Sequence, residues 1–476
     1  MLAILSPILV FGLVIFVHEL GHFIAAKAVG VYAPRFSIGF GPALFRRRRG
    51  ETEYILAALP LGGYVRMASR HDAETAFLEG GNEEENARSI NDPGYDPNAM
   101  IPFGPKPVPE NRWFESKPLW ARIVIMIAGV VMNVVLAIVV GIALVYRYGQ
   151  YDYPGTTVGG VQAGTVPALA QIQTGDSIRT VNGAAVKSWT DIRKQILAST
   201  GEVVITTQRG DVRIPVGGNQ PSAEDVANSL IYFLPPVIDS VAAGDRAAAA
   251  GFQHGDSIVS VGGHEVRSWT DMVGQVGKSA ERPVTFVVHR ASSTDTIVVT
   301  PKSARVLNPA TGKEETVGRI GASVKDPAIR VPVEFGEAVS AGFRLTASNA
   351  GAVFKILRQI GTGAVSVREL GGPIAITRAS VSAARNGLDE LFGLIALLSI
   401  NVAVLNLLPI PILDGGQILI NVLESAKGSP FSLRTRDYIL RFGLVAIALL
   451  FAIVMYNDTR AGFAKLFGWL GKAFGA

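Results

Sequence analysis

The sequence predicts a multi-pass α-helical membrane protein, with about four transmembrane helices, into which two small α+β domains are inserted. Three observations carry this. Of the 476 residues, 49% are hydrophobic, and the mean hydropathy is +0.33, above what a soluble domain usually shows. Several apolar runs reach the roughly 20 residues that cross a bilayer as a helix. Between the second and third of these runs, one short mixed pattern occurs twice.

The continuous spans are Leu2 to Val29, Leu119 to Tyr146 and about Tyr438 to Tyr456. A further span, Leu391 to Leu423, is interrupted by Pro409, Pro411, Asp414, Gly415 and Gly416, which should break or kink the helix at membrane depth. Ala26-Lys27-Ala28 has the form of a cleavage site, but the first run is not expected to be a signal peptide: no basic stretch precedes it here, and it carries His18, Glu19 and His22, which a targeting segment has no reason to tolerate. Lys27, Arg35 and Arg46 to Arg49 follow the first span, and Arg112, Lys117 and Arg122 flank the start of the second. The positive-inside rule therefore places residues 30–118 in the cytoplasm, and both termini and the region between the second and third spans outside.

Within the cytoplasmic stretch, Tyr54 to Arg66 reads as a short strand pair with a tight Gly62-Gly63 turn. Residues 70–112 are acidic and then rich in Pro, Gly and Asn, which predicts a disordered loop. In the outer region, Gly175-Asp176-Ser177-Ile178 returns as Gly255-Asp256-Ser257-Ile258, and Ser188-Trp189-Thr190-Asp191 as Ser268-Trp269-Thr270-Asp271. Each copy alternates short β-rich runs with a helical stretch after Trp-Thr-Asp. Pro332 to Ile360 has helical apolar spacing, and both an amphipathic helix on the membrane surface and a packed soluble helix fit it.

The predicted divisions are 1–69 (first span and hairpin), 70–118 (cytoplasmic loop), 119–150 (second span), 156–217 and 235–303 (the two copies), 304–386 (linker and amphipathic helix), 387–426 (third segment) and 427–476 (fourth span and amphipathic tail). The net charge of +5 and pI near 9.3 do not indicate nucleic acid, because the basic residues cluster beside apolar runs without interleaved aromatics. The absence of cysteine excludes disulfides and thiolate ligands, leaving imidazole and carboxylate for any metal.

His18-Glu19-Leu20-Gly21-His22 is a His-Glu-x-x-His pentad, and on a helix its i, i+4 spacing turns both imidazoles to one face, where they can share a zinc ion. Glu19 sits beside that face as a general base for a catalytic water. A catalytic zinc wants a third protein ligand. Asp414 is the obvious donor, being the carboxylate inside the broken span; a role as cap of that broken helix is the alternative. Glu424 is a weaker candidate.

The repeated Gly-Asp-x-Ile-x-x-Val-x-Gly-x-x-Val pattern resembles bacterial PDZ domains, which implies binding of extended C-terminal peptides; two non-binding spacers fit the letters as well. Four features resemble the site-2 protease family of intramembrane zinc metalloproteases, in its bacterial subgroup with tandem PDZ domains. These are the pentad in the first span, Asn-x-x-Pro-x-Pro-x-x-Asp-Gly-Gly from Asn406 to Gly416, the Pro-Leu-Gly-Gly-Tyr-Val segment at 60–65 and the two repeats. The resemblance implies one zinc per chain and residence in the bacterial inner membrane among its lipids. It also implies cleavage of single-pass transmembrane partners such as anti-sigma factors already cut outside, and of signal-peptide remnants. Asn401 and Asn406 would then bind unwound substrate backbone, with interhelical hydrogen bonding as the alternative, and Gly62, Gly63, Tyr64 and Val65 would offer a strand edge. Gly371-Gly372-Pro373 resembles a further segment of the family. The repeats are expected to act as a gate. A membrane-anchored adaptor would leave the four polar residues unexplained, and a metal transporter would leave Glu19 without a role.

Overall fold

The computed structural model describes residues 2–69, 95–162, 164, 166–242, 244–307, 314–363 and 371–473. The chain divides into two compact units, residues 1–148 with 333–476, and residues 149–332. Of the loop expected at 70–112, residues 70–94 lie outside the described residues.

The first unit is a helical assembly with one hairpin. Its helices are α1 (Leu2–Ala28), α2 (Leu119–Tyr148), α3 (Phe335–Gly361), α4 (Pro373–Asn386), α5 (Leu388–Asn406), α6 (Asp414–Lys427) and α7 (Leu433–Ala473). Among the described residues, four stretches are long and apolar enough to cross a membrane: Leu5–Ala28, Leu119–Tyr148, Leu388–Asn406 and Arg434–Thr459. Close helix approach depends on small residues. A Cβ at Gly21 would stand 2.3 Å from the Ala128 carbonyl oxygen, so α1 lies backbone to backbone with α2. Val10 and Val14 of α1 bury with Ala383, Leu391 and Ile395 of α4 and α5, while Ala137 of α2 buries with Ala396, Ile400 and Val404 of α5.

α3 is the helix expected from 332–360. It packs on α2 through Ala338, Ala341 and Gly342 and leaves Phe343, Phe354 and Ile356 exposed. α7 has no such packed stripe; Leu449, Phe451 and Tyr456 are among its many exposed apolar side chains. Its attachment includes Asp458, whose carboxylate accepts hydrogen bonds from the backbone N–H of Gly372, Ile374 and Ala375 at 3.1, 2.9 and 3.2 Å. That carboxylate satisfies donors that the start of α4 would otherwise leave orphaned.

The hairpin corrects the sequence expectation. Its strands are β1 (Arg35–Arg49) and β2 (Thr52–Arg66), joined by a two-residue turn at Gly50-Glu51, so 54–66 is one bent strand and not a strand pair. Arg35–Ile38 is paired on both sides: Phe36 opposes Val65 and also Tyr54, and Ser37 opposes Tyr64 and also Ile55. Gly62 and Gly63 therefore lie within a strand, where a Cβ at Gly62 would meet the Phe40 ring at 1.9 Å. Phe36 and Val65 bury against Phe16, Leu20 and Phe23 of α1, which fixes the sheet on the helix that carries the pentad. The described part of the expected loop is folded: Phe103 is 1% exposed, with the Arg48 guanidinium 4.4 Å from its ring centroid.

The second unit contains the two copies. In the first, Val158–Val161 pairs with Leu230–Tyr232, and a four-stranded sheet runs in the order 184–185, 178–181, 202–207, 210–215, with the helix Trp189–Leu197 alongside. The second repeats this with Ile238–Val241 on Ala322–Val324, a sheet ordered 264–265, 257–261, 284–290, 293–299, and the helix Trp269–Gly277. The folded extents exceed the expected boundaries of 217 and 303, because Val226, Ala227 and Leu230 complete the first core and Ile320 the second. Ser188 and Ser268 cap the two helices, each accepting the N–H of the Asp three residues on. The repeated Asp buries against an arginine in both copies, Asp176 with Arg209 and Asp256 with Arg290, each at 2.7 Å.

Candidate metal centre

α1 carries His18 and His22 one turn apart, with their Nε2 atoms 3.2 Å from each other and their rings nearly perpendicular at 86°. Both are 7% exposed. Asp414 arrives from the far end of the chain. After α5 the backbone turns through 407–413, where Ile410 N–H bonds Leu408 O and Leu413 N–H bonds Ile410 O, both at 2.8 Å. Pro409 and Pro411 lack the N–H that a continuing helix needs. The loop folds back onto the first turn of α6: a Cβ at Gly415 or Gly416 would stand 2.2 Å from Leu407 O or 2.0 Å from Ile410 O. Leu413 is the N-cap residue of α6, with no side-chain cap, so Asp414 is released from the capping role and points at the imidazoles.

Oδ2 of Asp414 lies 3.3 Å from His18 Nε2 and 3.5 Å from His22 Nε2. With the 3.2 Å between the two nitrogens, these atoms form a nearly equilateral triangle. A tetrahedral zinc bound at about 2.0–2.1 Å sets its ligand atoms about 3.3–3.4 Å apart, so the triangle has the size of one face of that polyhedron. Oδ2 is buried and finds no hydrogen-bond donor, an expensive arrangement unless a cation completes it. Two imidazoles and one carboxylate suit a catalytic zinc with an open fourth position.

α2 forms the wall behind the histidines. His22 Nδ1 bonds the Ile125 carbonyl at 2.8 Å, which leaves the Nε2 lone pair free. One turn on, a Cβ at Gly129 would stand 2.4 Å from His22 Nε2, so the helix can pass here only as glycine. One further turn on, the Asn133 amide is 3.4 Å from His18 Nδ1. In front lies a cavity of about 340 Å³ lined by His18, Glu19, His22 and Asp414 together with Gly63, Tyr64, Val65 and Asn406. Gly63 closes on Glu19, whose Cγ would be 3.1 Å from a Cβ placed there.

The structure thus gathers most of the residues expected at the site. Asn406 stands closer to the metal donors than expected, with its amide 3.1 Å from His18 Nε2. Asn401 and Gly62 do not line the cavity. Five residues turn a helix by about 500°, leaving Asn401 some 140° away from Asn406 around α5. Ile125, Gly129 and Asn133, and the lining methionines Met67 and Met126, escaped the sequence reading. A glycine and an asparagine four residues apart in a 30-residue apolar helix were the available signal.

Residues 6–450 match Peptidase family M50. The regulator of sigma-E protease of Escherichia coli strain K12 is 31% identical over 485 residues, covering 95% of this chain and 97% of that protein. A Neisseria meningitidis protein whose name assigns it provisionally to the zinc metalloproteases is 30% identical over 470 residues, covering 94% and 97%. A Yersinia pestis protease is 30% identical over 486 residues, covering 95% and 97%.

Proposed function

Because the chain belongs to peptidase family M50 and is a zinc metalloprotease, we propose that it cuts transmembrane segments of partner proteins, with His18, His22 and Asp414 holding one zinc and Glu19 as the catalytic base. The observation that carries this is the triangle of donor atoms, 3.2, 3.3 and 3.5 Å on its sides, beside a glutamate in an apolar helix. Zinc, when bound, supplies Lewis-acid polarisation of the scissile carbonyl and acidifies a water. The chain's own residues do the rest. Glu19 lies at the cavity wall, where its carboxylate takes a proton from the attacking water and delivers it to the leaving amine.

A peptide bond within a membrane helix is protected by its own hydrogen bonds, so the substrate must unwind and find replacement partners. Gly63, Tyr64 and Val65 lie on a strand bordering the cavity, and an extended substrate added along it would recover backbone hydrogen bonds. Asn406 offers a side-chain amide beside the donors. The name of the Escherichia coli relative favours substrates of the anti-sigma-factor type, with signal-peptide remnants as a second class. The reading places the enzyme in the bacterial inner membrane, with residues 30–118 cytoplasmic, and both termini and the PDZ-like modules outside. The modules would admit only partners already trimmed of bulky outer domains.

The test is zinc content and cleavage of a reporter transmembrane substrate by detergent-purified wild type beside Glu19→Gln and Asp414→Ala. Glu19→Gln should retain zinc and lose cleavage, and Asp414→Ala should lose zinc. Cleavage by Glu19→Gln would remove the base assignment, and unchanged zinc in Asp414→Ala would remove Asp414 from the ligands.

A further inference from the structure

An imidazole that ligates a metal through Nε2 keeps its proton on Nδ1, and that N–H needs an acceptor to hold ring plane and tautomer. For His22 the acceptor is the Ile125 carbonyl at 2.8 Å. His18 presents Nε2 to the same cluster, 3.2 Å from His22 Nε2 and 3.3 Å from Asp414 Oδ2, so its Nδ1 faces the same requirement. The group in reach is the side-chain amide of Asn133, which is 0% exposed.

The amide orientation decides what this contact is. Nδ2 of Asn133 lies 3.4 Å from His18 Nδ1, while Oδ1 is buried without a hydrogen-bond partner. Two N–H groups cannot satisfy each other. A half-turn of the amide about χ2, which leaves its shape unchanged, brings the unpartnered Oδ1 onto the His18 Nδ1–H.

We propose that Asn133 is a positioning residue of the metal centre, its Oδ1 accepting the His18 Nδ1–H bond and aiming the Nε2 lone pair at the zinc. The inference rests on His18 being a zinc ligand. It makes α2 the orienting element for both histidines: Ile125, Gly129 and Asn133 follow one another at four-residue steps along one face, as acceptor, clearance and acceptor. Asn133 supplies a neutral acceptor at a centre that already has two carboxylates, Glu19 and Asp414, on its cavity side. The backbone of Asn133 has a separate task, because its carbonyl accepts the Ser399 hydroxyl of α5 at 2.9 Å. Side-chain orientation and helix packing can therefore be tested apart.

The experiment measures the zinc dissociation constant of the full-length, detergent-purified chain by chelator competition, together with the visible absorption of its Co²⁺-loaded form. Asn133→Leu, which keeps the forked shape and removes the acceptor, should weaken zinc binding about 10- to 100-fold and alter the Co²⁺ bands. Asn133→Asp, which restores an acceptor, should bind within about threefold of wild type. Ser399→Ala, which removes only the interhelical bond, should leave both readouts unchanged. Asn133→Ala, which cannot clash, replaces Asn133→Leu if that variant does not fold. Wild-type zinc affinity in the acceptor-less variant, an equal loss in Asn133→Asp, or an equal loss in Ser399→Ala would each overturn the proposal. His18→Ala separates the two readings. If it loses zinc while Asn133→Leu does not, the orienting role alone fails; if it too keeps zinc, the ligand assignment beneath it fails.

Discussion

Replacing Gly129 by alanine tests how closely α2 confines the imidazoles. The added methyl would stand 2.4 Å from His22 Nε2 and 2.8 Å from Cε1 of each histidine. Carbon and nitrogen normally approach to about 3.5 Å, so the ring or the helix must yield by about 1 Å. Zinc sites tolerate ligand displacements of only about 0.2 Å. The displacement therefore exceeds the tolerance several-fold, and zinc affinity should fall by at least about 100-fold, or about 2.7 kcal/mol. Helix propensity works the other way, favouring alanine over glycine by up to about 1 kcal/mol, so a loss cannot come from the helix itself. Gly141→Ala is the control on the same helix, because its nearest neighbour would be the Gly342 Cα at an ordinary 3.5 Å. Chelator competition on both purified variants reads the outcome. Wild-type zinc affinity in Gly129→Ala, or an equal loss in Gly141→Ala, would refute the reasoning.

Ser268→Ala should loosen the helix 269–277 more than Ser188→Ala loosens 189–197. Ser268 both caps its helix and donates to the Gly159 carbonyl at 2.9 Å, a difference of about 1 kcal/mol that amide hydrogen exchange in the full chain will show as faster opening. Arg112, donating to Glu51 at 2.8 and 2.9 Å with help from Lys27, holds the Glu51 carboxyl down at about 2 from an ordinary 4.5. A depressed carboxylate stabilises above its unfolded value, and that stability disappears as pH falls from about 4.5 towards about 2. Glu51→Gln should cost about 1 kcal/mol at neutral pH after solvent screening, and unfolding midpoints of the two proteins should converge at low pH; a constant gap would contradict the assignment. Asp458→Ala removes the acceptor of three backbone donors and should cost about 1–2 kcal/mol, seen as faster exchange at 372–375; unchanged protection there would deny Asp458 its capping role. Replacing residues 149–332 by a flexible linker should let the enzyme accept an untrimmed substrate; continued refusal would place the selection elsewhere.

The cluster at the candidate site was legible in the sequence because ionisable side chains are costly in an apolar span, so His18, Glu19, His22 and Asp414 stand out there. The break before Asp414 was legible for a similar reason: Pro409 and Pro411 cannot continue a helix. The hairpin was misread because two glycines in a row suggest a turn. Here Gly62 makes room for the Phe40 ring and Gly63 for Glu19, and neither need is visible until the strands lie against α1. The arginines at 46–49 also hide the strand character of β1, since a run of charges carries no period-2 signal. Asn401 and Asn406 were grouped by nearness in sequence, whereas helical geometry separates them. The share of α2 went unread because only Gly129 and Asn133 mark its site-facing side in an otherwise apolar run, and neither is ionisable.

The proposed metal donors, His18 and His22 on one side and Asp414 with its neighbour Asn406 on the other, lie far apart in the chain. His18 and Asn406, which meet at 3.1 Å in the finished centre, are 388 residues apart in sequence. At about 5–20 residues per second, translation takes roughly 20–80 s to cover that interval, so α1 enters the bilayer long before Asp414 exists. On the proposed ligand set, a nascent chain would hold two imidazoles and lack the third donor until Asp414 is made. With that proposed ligand set, zinc capture by all three donors would be a late step of biogenesis, and a chain truncated before Asp414 should lack hydrolytic activity.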